Sequence, residues 1–380
     1  MGIAVATAAM VCVLSVMNGF GSVVEEMFSL FDPDLRITAA QGKTLHTNTE
    51  VFDMIRQWDE IDAFMPTIEE NALVRFSERQ VTALVKGVPD DYNAYNAIDS
   101  TLVDGEFSVF DGAFERTVMG LGLANTLGIG AHFVSAMRLY APKRTQRVNM
   151  LTPEKSINQQ PVWISAVFSV GQLKYDDNYM LVSFNLAKQL FEFQEDEATA
   201  VELHLKDGKS VKSVKRRLQR TLGNDYIVAD RYEQQKDFFR ILKIEKLMTA
   251  LLLSCIILIA ALNIVGALSM LMLDKKDDIA IIESLGASKT DMRDIFLYEG
   301  WLISVCGAVA GVLLGTALCW IQMTFGVLKL GNGTNYIISA YPVDIQFFDL
   351  VFVLIIVLLL GFISAFIPAR QLTKRHKAND

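Results

Sequence analysis

The sequence predicts a membrane α-helical protein with four transmembrane helices and one large mixed α/β extracytoplasmic domain. Three observations support this prediction. Four long runs contain no charged side chain, they occur as one run followed much later by three, and the segments between them differ in lysine and arginine content. A helix needs roughly 20 apolar residues to cross a hydrocarbon core about 30 Å thick, so each run is long enough to span it.

The four runs end next to charged residues. They are residues 1–24, 247–273, 300–328 and 350–369, with a polar segment at 25–246. The first run has no basic residues before it and no small-residue cleavage pattern at its end, which favours an uncleaved helix over a signal peptide. Because the first helix lacks a basic cytoplasmic anchor, we also expect that a short cytoplasmic segment precedes Met1 in the natural protein.

Lysine and arginine set the expected orientation. They concentrate in the loop at 274–299 and in the tail at 370–380, whereas the loop at 329–349 carries one lysine, Lys329. The basic residues of the first two segments are Lys275, Lys276, Lys289, Arg293, Arg370, Lys374, Arg375 and Lys377. Basic loops stay in the cytoplasm, so the segment at 25–246 is expected outside.

The cysteines and the net charge indicate what kind of domain the exported segment forms. Cys12, Cys255, Cys306 and Cys319 all lie in the apolar runs, so the exported segment has no disulfide framework. It must fold around its own core, and at roughly 220 residues it is large enough for two subdomains. The net charge of −8 indicates solubility and gives no reason to expect a nucleic-acid partner.

Both ends of the exported segment show alternating strand and helix patterns. The first pattern has a strand at 34–38, a helix at 49–59 and extended runs at 61–68 and 71–86; the second has a strand at 198–205, a helix at 209–222 and a strand at 226–229. The apolar face of the first helix is expected to hold Val51, Met54, Ile55 and Trp58. The two patterns are expected to share one sheet with helices on one face, a porter-like α/β part.

Residues 105–191 are richer in strand-like runs and predict a β-rich insert. A polar stretch at 141–160 is expected to form a mobile loop, which is either functional or a variable insertion. Residues 231–246 continue with helical spacing into the second apolar run. This predicts a stalk helix that joins the domain rigidly to the membrane; the alternative is an ordinary extension of the membrane helix.

No catalytic, cofactor or metal site is predicted. The histidines His46, His132, His204 and His376 have no metal-ligand spacing. The glycines that follow Met119 lack the third glycine of a dinucleotide motif, and those near Thr290 lack phosphate-loop spacing. We therefore expect no enzyme activity and no cofactor, and any ATP must be hydrolysed by a partner chain.

The cytoplasmic loop predicts two helices that meet at a break. The short apolar helix and its end are formed by Ile281, Ile282, Glu283, Leu285 and Gly286. Ser288 and Asp291 then form a capping-box-like pair at the start of the helix that leads into the third run. An exposed apolar stripe indicates a docking surface for another protein, and the alternative is a stripe that lies on the membrane surface.

Two features of the apolar runs predict helix packing. Gly307, Gly311 and Gly315 recur every fourth residue in the third run, a spacing that lets another helix approach closely. Asn263 is a polar residue in the middle of the second run and is expected to form an interhelical hydrogen bond.

The outer end of the first run carries a short motif of Met17, Asn18, Gly19 and Phe20. An aromatic side chain at this depth is a plausible anchor at the membrane surface. From the residue types alone, the motif is a helix end.

Together these features resemble the four-helix permeases of the MacB and FtsX superfamily, the ATP-binding cassette (ABC) type VII class. Within it, the sequence is most similar to the lipoprotein-releasing permease subunits LolC and LolE. Ser15-Val-Met-Asn-Gly-Phe20 is the most specific stretch, and Ile279–Ser288 resembles the family's coupling helix, where the ATPase docks. Gly87–Pro89, Gly105–Phe107 and Gly120–Gly130 resemble pieces of its periplasmic domain.

The resemblance implies a permease subunit of an ATP-driven transporter in the bacterial inner membrane, with its large domain in the periplasm. The expected function is extraction of lipoproteins from the inner membrane for transfer to a periplasmic carrier. Expected partners are a cytoplasmic ABC ATPase, a second permease subunit, the lipoprotein and the carrier. Two alternatives stay open: a MacB-like efflux permease, and an FtsX-like subunit that signals to a cell-wall hydrolase.

Overall fold

The structure is a computed structural model that describes residues 1–29, 31–96, 98–144, 156–275, 278, 281–282, 284–329 and 340–375. The chain divides into two compact units. Met1–Val24 and Asp237–Asp380 form the membrane unit, and Glu25–Lys236 form the exported unit.

The elements follow in chain order. The helices are α1 Gly2–Ser29, α2 Glu50–Arg56, α3 Tyr92–Asn96, α4 Leu121–Leu127, α5 Leu173–Asp176, α6 Phe184–Phe191, α7 Val211–Leu222, α8 Arg231–Gln234, α9 Lys236–Asp274, α10 Lys289–Phe325 and α11 Phe347–Arg375. The strands are β1 Leu35–Ala39, β2 Leu45–His46, β3 Ile61–Phe76, β4 Arg79–Val88, β5 Leu102–Gly105, β6 Arg116–Gly120, β7 Met137–Pro142, β8 Ile157–Phe168, β9 Tyr179–Ser183, β10 Glu197–Ala198, β11 Ala200–Leu205 and β12 Tyr226–Asp230. A 3₁₀ turn covers Ile98–Thr101.

Four of the described helices are long and apolar enough to cross a membrane. The candidate spans are Gly2–Val24, Lys236–Leu271, Arg293–Phe325 and Phe347–Ile367. The predicted fold class, with one span followed by three around a mixed α/β domain, is thereby confirmed. The helices extend beyond the charge-free runs, because polar residues at the membrane surface continue the same backbone hydrogen bonding.

Helix α1 is the most buried of the four spans. Its apolar window is 56% buried, against 18% for α9 and 28% for α10 and α11. A buried cluster joins residues from all four helices, including Met10, Leu14, Ile257 and Val357. The first span therefore lies against the other three, although it is the most distant of them along the chain.

The glycines of α10 lie directly against α1. A Cβ atom built on Gly311 would lie 2.6 Å from the Ala4 carbonyl oxygen and 2.5 Å from the Cβ of Thr7. On Gly307 it would lie 3.1 Å from Ile3, and on Gly315 it would lie 2.8 Å from Val11. The two backbones approach too closely for any larger residue at Gly311.

The exported unit is built on one ten-stranded sheet. The strand order is β12-β1-β11-β3-β4-β9-β6-β8-β5, and β7 pairs with both β3 and β8. The two terminal β-α patterns thus share a sheet, because β1 lies between β11 and β12. The strands of the predicted insert do not form a separate sheet: β9 pairs in parallel with β4 and continues it. Separate apolar clusters lie at the two ends of this sheet.

Two predictions for the first pattern are wrong. The run at 61–68 and the first part of the run at 71–86 form one strand, β3, whereas residues 79–86 belong to β4. The hairpin turn between the two strands falls near Ser77, which adopts a positive φ of 52°. The break expected after Ile68 is absent from the described backbone because β3 pairs with β4 from Ile68 to Phe76. In α2, Met54 is 53% exposed and Phe52 is fully buried, since α2 has only two turns and presents Phe52 with Ile55 to the core.

The predicted stalk begins later than expected. Residues 231–234 form the separate helix α8, and α9 starts at Lys236. Between them, Gln235 leaves helical geometry with φ −110° and ψ 29°. Its buried side chain donates to Asp32 Oδ2 at 2.6 Å and to Tyr175 Oη at 2.8 Å. These two hydrogen bonds favour the break over a continuous helix.

The polar stretch predicted as a loop is largely hairpin in its described part. Strand β7 pairs with β8, with Met137 opposite Val162 at one end and Pro142 opposite Ile157 at the other. Both strands therefore extend into the predicted loop. The remaining part, residues 145–155, lies outside the described residues, and so does the expectation of mobility there.

Replacing Gly311 by leucine should destabilise the membrane unit. The new side chain would meet the α1 backbone, and overpacking of this kind costs about 1–3 kcal/mol. The measurement is the thermal unfolding midpoint of the purified full chain in detergent. Gly266→Leu is the matched control, because a Cβ on Gly266 meets nothing within 4 Å. Equal midpoints for the two variants would contradict the predicted contact.

Candidate functional site

Three polar side chains meet at the outer ends of α1, α9 and α11. Lys246 Nζ lies 2.9 Å from Asp349 Oδ1 and 2.8 Å from Asp349 Oδ2, and it donates to Asn18 Oδ1 at 2.9 Å. Asn18 Nδ2 in turn donates to Asp349 Oδ2 at 2.6 Å. The three residues, Asn18, Lys246 and Asp349, are called the outer network below.

The sequence places each member of the outer network at a membrane boundary. Lys246 is the last residue before the second apolar run, Asp349 is the last before the fourth, and Asn18 is near the end of the first. The side chains of Lys246 and Asp349 are 34% and 19% exposed, so the pair is neither fully hydrated nor fully buried. A partly desolvated pair with a third hydrogen-bonding partner contributes more than a surface ion pair.

The rest of the helix-one motif holds the outer loop between α10 and α11. A Cβ on Gly19 would lie 2.5 Å from the backbone of Pro342 and Val343, so only glycine fits there. Phe20 packs edge-on against Tyr341 with ring centroids 5.1 Å apart. Met17 is half-buried. The motif is therefore a contact surface for the outer loop, which the sequence analysis did not predict.

Backbone hydrogen bonds complete this contact. Asp344 donates its backbone N–H to the Ser15 carbonyl oxygen at 2.9 Å, and Asn18 Nδ2 lies 3.4 Å from the Asp344 carbonyl oxygen. The loop thus supplies a donor to α1 where the helix reaches the membrane surface. The outer end of α1 is therefore held by both side-chain and backbone hydrogen bonds.

The predicted coupling segment is exposed on the cytoplasmic side. Ile281, Ile282 and Leu285 are 59%, 41% and 81% exposed, and Glu283 lies outside the described residues. Gly286 ends the segment with a positive φ of 101°, a conformation that other residues rarely adopt. Three exposed aliphatic side chains next to a glycine break form a small apolar surface.

The start of α10 follows the predicted capping box. The side chain of Ser288 accepts from the Asp291 backbone N–H at 3.2 Å, and Asp291 Oδ2 accepts from the Ser288 backbone N–H at 2.9 Å. This prediction is confirmed. The box fixes where the cytoplasmic segment ends and the third span begins.

Asn263 lies exposed on α9 and has no hydrogen-bond partner in the part of the chain that the structure describes. Its expected interhelical hydrogen bond stays a prediction.

The exported unit buries a charge cluster that the sequence analysis missed. Lys86 Nζ lies 2.8 Å from Glu202 Oε1 and donates to Tyr92 Oη at 2.8 Å, while Arg36 pairs with Glu69. Burial opposes the charge of Lys86, but the attraction of Glu202 raises the pKa of Lys86 well above its usual value. Burial in turn raises the pKa of Glu202. Two cations balance two anions on the adjacent strands β1, β11, β3 and β4, which indicates a structural role.

A double-mutant cycle tests the outer network. Lys246→Met should leave the Asp349 carboxylate with Asn18 as its remaining partner and lower stability by about 1–2 kcal/mol. Lys246→Met combined with Asp349→Leu should recover much of this loss. Thermal unfolding of the full chain in detergent is the measurement. Strictly additive effects would show that the pair does not interact, and Lys206→Met, which breaks an exposed pair with Asp59, should change little.

Two family models match the chain over most of its length. The MacB-like periplasmic core domain matches residues 1–221, which is more than half of the chain. The FtsX-like permease C-terminal domain matches residues 250–377 and thus covers the last three spans.

Curated relatives and a solved structure are similar to this chain. The lipoprotein-releasing system transmembrane protein LolC of Xylella fastidiosa strain 9a5c is 28% identical and aligns with 97% of this chain and 89% of its own length. LolE of Haemophilus influenzae is 26% identical and aligns with 99% of this chain and 91% of its own length. The extracellular domain of the ABC-type transporter YknZ from Gram-positive bacteria is 14% identical, with a TM-score of 0.36, and covers 52% of this chain and 99% of that chain.

The two family matches divide the chain as its structure does. The periplasmic core model falls on the first span and the exported unit, and the permease model falls on α9, α10 and α11. The exported unit is therefore periplasmic, and the chain is a multi-pass transport subunit of the inner membrane. It belongs to the family of ABC permeases that combine a MacB-like periplasmic core domain with an FtsX-like C-terminal domain.

Proposed function

We propose that this chain is the permease subunit of an ATP-driven transporter that extracts lipoproteins from the inner membrane and passes them to a periplasmic carrier. One observation carries this proposal. The similarity to lipoprotein-releasing proteins runs over 97% to 99% of the chain, so it includes the helix-one motif and the periplasmic domain as well as the common permease core.

The coupling segment supports the ATP-driven part of the proposal. An ABC permease works with an ATPase, and the exposed Ile281, Ile282 and Leu285 offer an apolar surface on the cytoplasmic side. The segment lies between α9 and the capped start of α10. A push on this segment would therefore reach both helices.

Helix α9 gives this push a path to the outer side of the membrane. It runs without interruption for 39 residues, a length of about 58 Å. Lys246 of the outer network lies on this helix, whereas Asn18 and Asp349 lie on α1 and α11. In our proposal, movement of α9 rearranges the outer network and changes the space between the spans where an acyl chain lies.

The cargo explains why the process needs ATP. Burial of an acyl chain in lipid stabilises the anchored state by about 0.8 kcal/mol for each CH₂, so a single chain of about 16 carbons contributes on the order of 12 kcal/mol. Spontaneous release is correspondingly rare. A transporter that narrows an apolar cavity on ATP binding would lower this barrier for the whole anchor.

A second permease subunit completes the proposed transporter. The apolar window of α9 is 18% buried within this chain, and Asn263 lies on its exposed surface. A polar side chain at mid-membrane depth normally faces another helix rather than lipid. We place the second subunit, whether a copy of this chain or a related one, against this face of α9.

Depletion of the chain tests the proposed cargo. Newly made lipoproteins should then accumulate in the inner membrane, because nothing removes their acyl anchors. The measurement is the distribution of a labelled lipoprotein between inner and outer membranes on a density gradient, with an outer-membrane β-barrel protein as the control. Normal lipoprotein sorting after depletion, together with altered sensitivity to drugs or toxic peptides, would reject lipoprotein release in favour of efflux.

Replacement of Leu285 by aspartate tests the coupling surface. A carboxylate in the exposed apolar segment should abolish co-purification of the ATPase, because the new charge would have to lose its hydration when the ATPase docks. Membrane insertion should be unchanged. The matched control is Leu173→Asp, which places the same charge at a similarly exposed site (77%) of the exported unit. If the ATPase co-purifies equally with both variants, it docks elsewhere.

A further inference from the structure

A groove of about 590 Å³ opens in the membrane unit between α9 and α11. Its apolar part includes Leu247 and Ala250 of α9, Phe352 of α11 and Leu14 of α1. Arg240 and Lys243 of α9 also line it. Lys246 and Asp349 of the outer network line it too. The groove therefore has an apolar part and a polar part in which basic side chains exceed acidic ones.

The polar part carries uncompensated charge. Lys246 is paired with Asp349, but Arg240 and Lys243 are exposed and form no ion pair with any residue that the structure describes. Lysine and arginine near membrane spans are usually concentrated on the cytoplasmic side. Residues 240–246 on the periplasmic side contain three basic residues and one acidic residue, Glu245, so this stretch has an unusual excess of positive charge.

The two parts are arranged along the helix like the two parts of a lipid. Arg240, Lys243, Leu247 and Ala250 recur at spacings of three and four, so they share one face of α9. The helix rises about 15 Å from Arg240 to Ala250. The basic residues are on the outer side of the span, at the depth of lipid head groups, and the apolar residues lie within the hydrocarbon.

We infer that this groove binds an anionic phospholipid from the outer leaflet of the inner membrane. The guanidinium of Arg240 and the ammonium of Lys243 bind the phosphate, since both are strong donors to anionic oxygens. One acyl chain lies along Leu247, Ala250 and Phe352. The acyl groups of a lipoprotein offer no phosphate to these cations, so the charge favours a phospholipid over the cargo. The inference is independent of which cargo the transporter moves.

Native mass spectrometry of the purified full chain in detergent tests this inference. The probes are phosphatidylglycerol and a phosphatidylcholine with the same acyl chains. Phosphatidylglycerol should bind at least tenfold more tightly. The double variant Arg240→Gln, Lys243→Gln should lower its affinity about ten- to thirtyfold, because each basic group near a lipid surface contributes a factor of about five. Its affinity for phosphatidylcholine should fall by a smaller factor, because the choline cation of that lipid offsets the charge of the phosphate.

A matched double variant controls for net charge. Lys212→Gln with Lys236→Gln removes two exposed positive charges that do not line the groove, and it should keep the affinity for phosphatidylglycerol within twofold. Equal binding of the two lipids, or an equal loss in both double variants, would overturn the inference. So would a neutral triacylated peptide that displaces phosphatidylglycerol and binds the Arg240, Lys243 variant as well as the unchanged chain, since the groove would then belong to the cargo.

Discussion

The membrane unit depends on the close approach of α1 to α10. Apolar side chains gain little from leaving lipid for another helix, so spans associate through tight packing and hydrogen bonds. The three glycines of α10 supply the packing, and at Gly311 an added Cβ would reach the α1 carbonyl oxygen of Ala4. This contact brings the first span, which is separated from the others by the whole periplasmic domain, into the centre of the helices. The outer network needs α1 in that place, because Asn18 belongs to α1.

The outer network then links three helices through groups that neither water nor lipid solvates well. Lys246 and Asp349 are partly buried, and Asn18 bonds to both. A movement of α9 away from α11 must separate the two charges at the membrane surface, where neither finds a new partner at low free-energy cost. Small fluctuations therefore leave the network intact, and a larger driven movement rearranges it as a unit. A transporter that couples ATP hydrolysis to its outer face needs contacts with this discrete behaviour.

Patterns local in sequence were predicted well, and contacts between distant residues were not. The charge-free runs predicted the four spans. The spacing of four residues between glycines predicted the face of α10 that packs against another helix. Lys246 and Asp349 were recognised only as the charged ends of two runs, because nothing local relates residues that lie 103 positions apart. Lys86 looked like one more polar residue of a strand, since its partner Glu202 lies on a different strand of the sheet. The turn at Ser77 was missed because a serine at positive φ has no glycine to mark it.

We expect two opposite faces of α9 to contact different neighbours. With 100° of rotation per residue, Asn263 lies roughly 180° from the centre of the face formed by Arg240, Lys243, Leu247 and Ala250. A phospholipid in the groove and a second permease subunit at Asn263 would thus occupy opposite sides of α9 and would not compete. We propose a protein partner for Asn263, because an unpaired amide in hydrocarbon is costly, and an anion at head-group depth for Arg240 and Lys243. One helix can therefore contact the bilayer on one side and a second subunit on the other, which is what a helix that transmits motion between an ATPase and a membrane-embedded cargo requires.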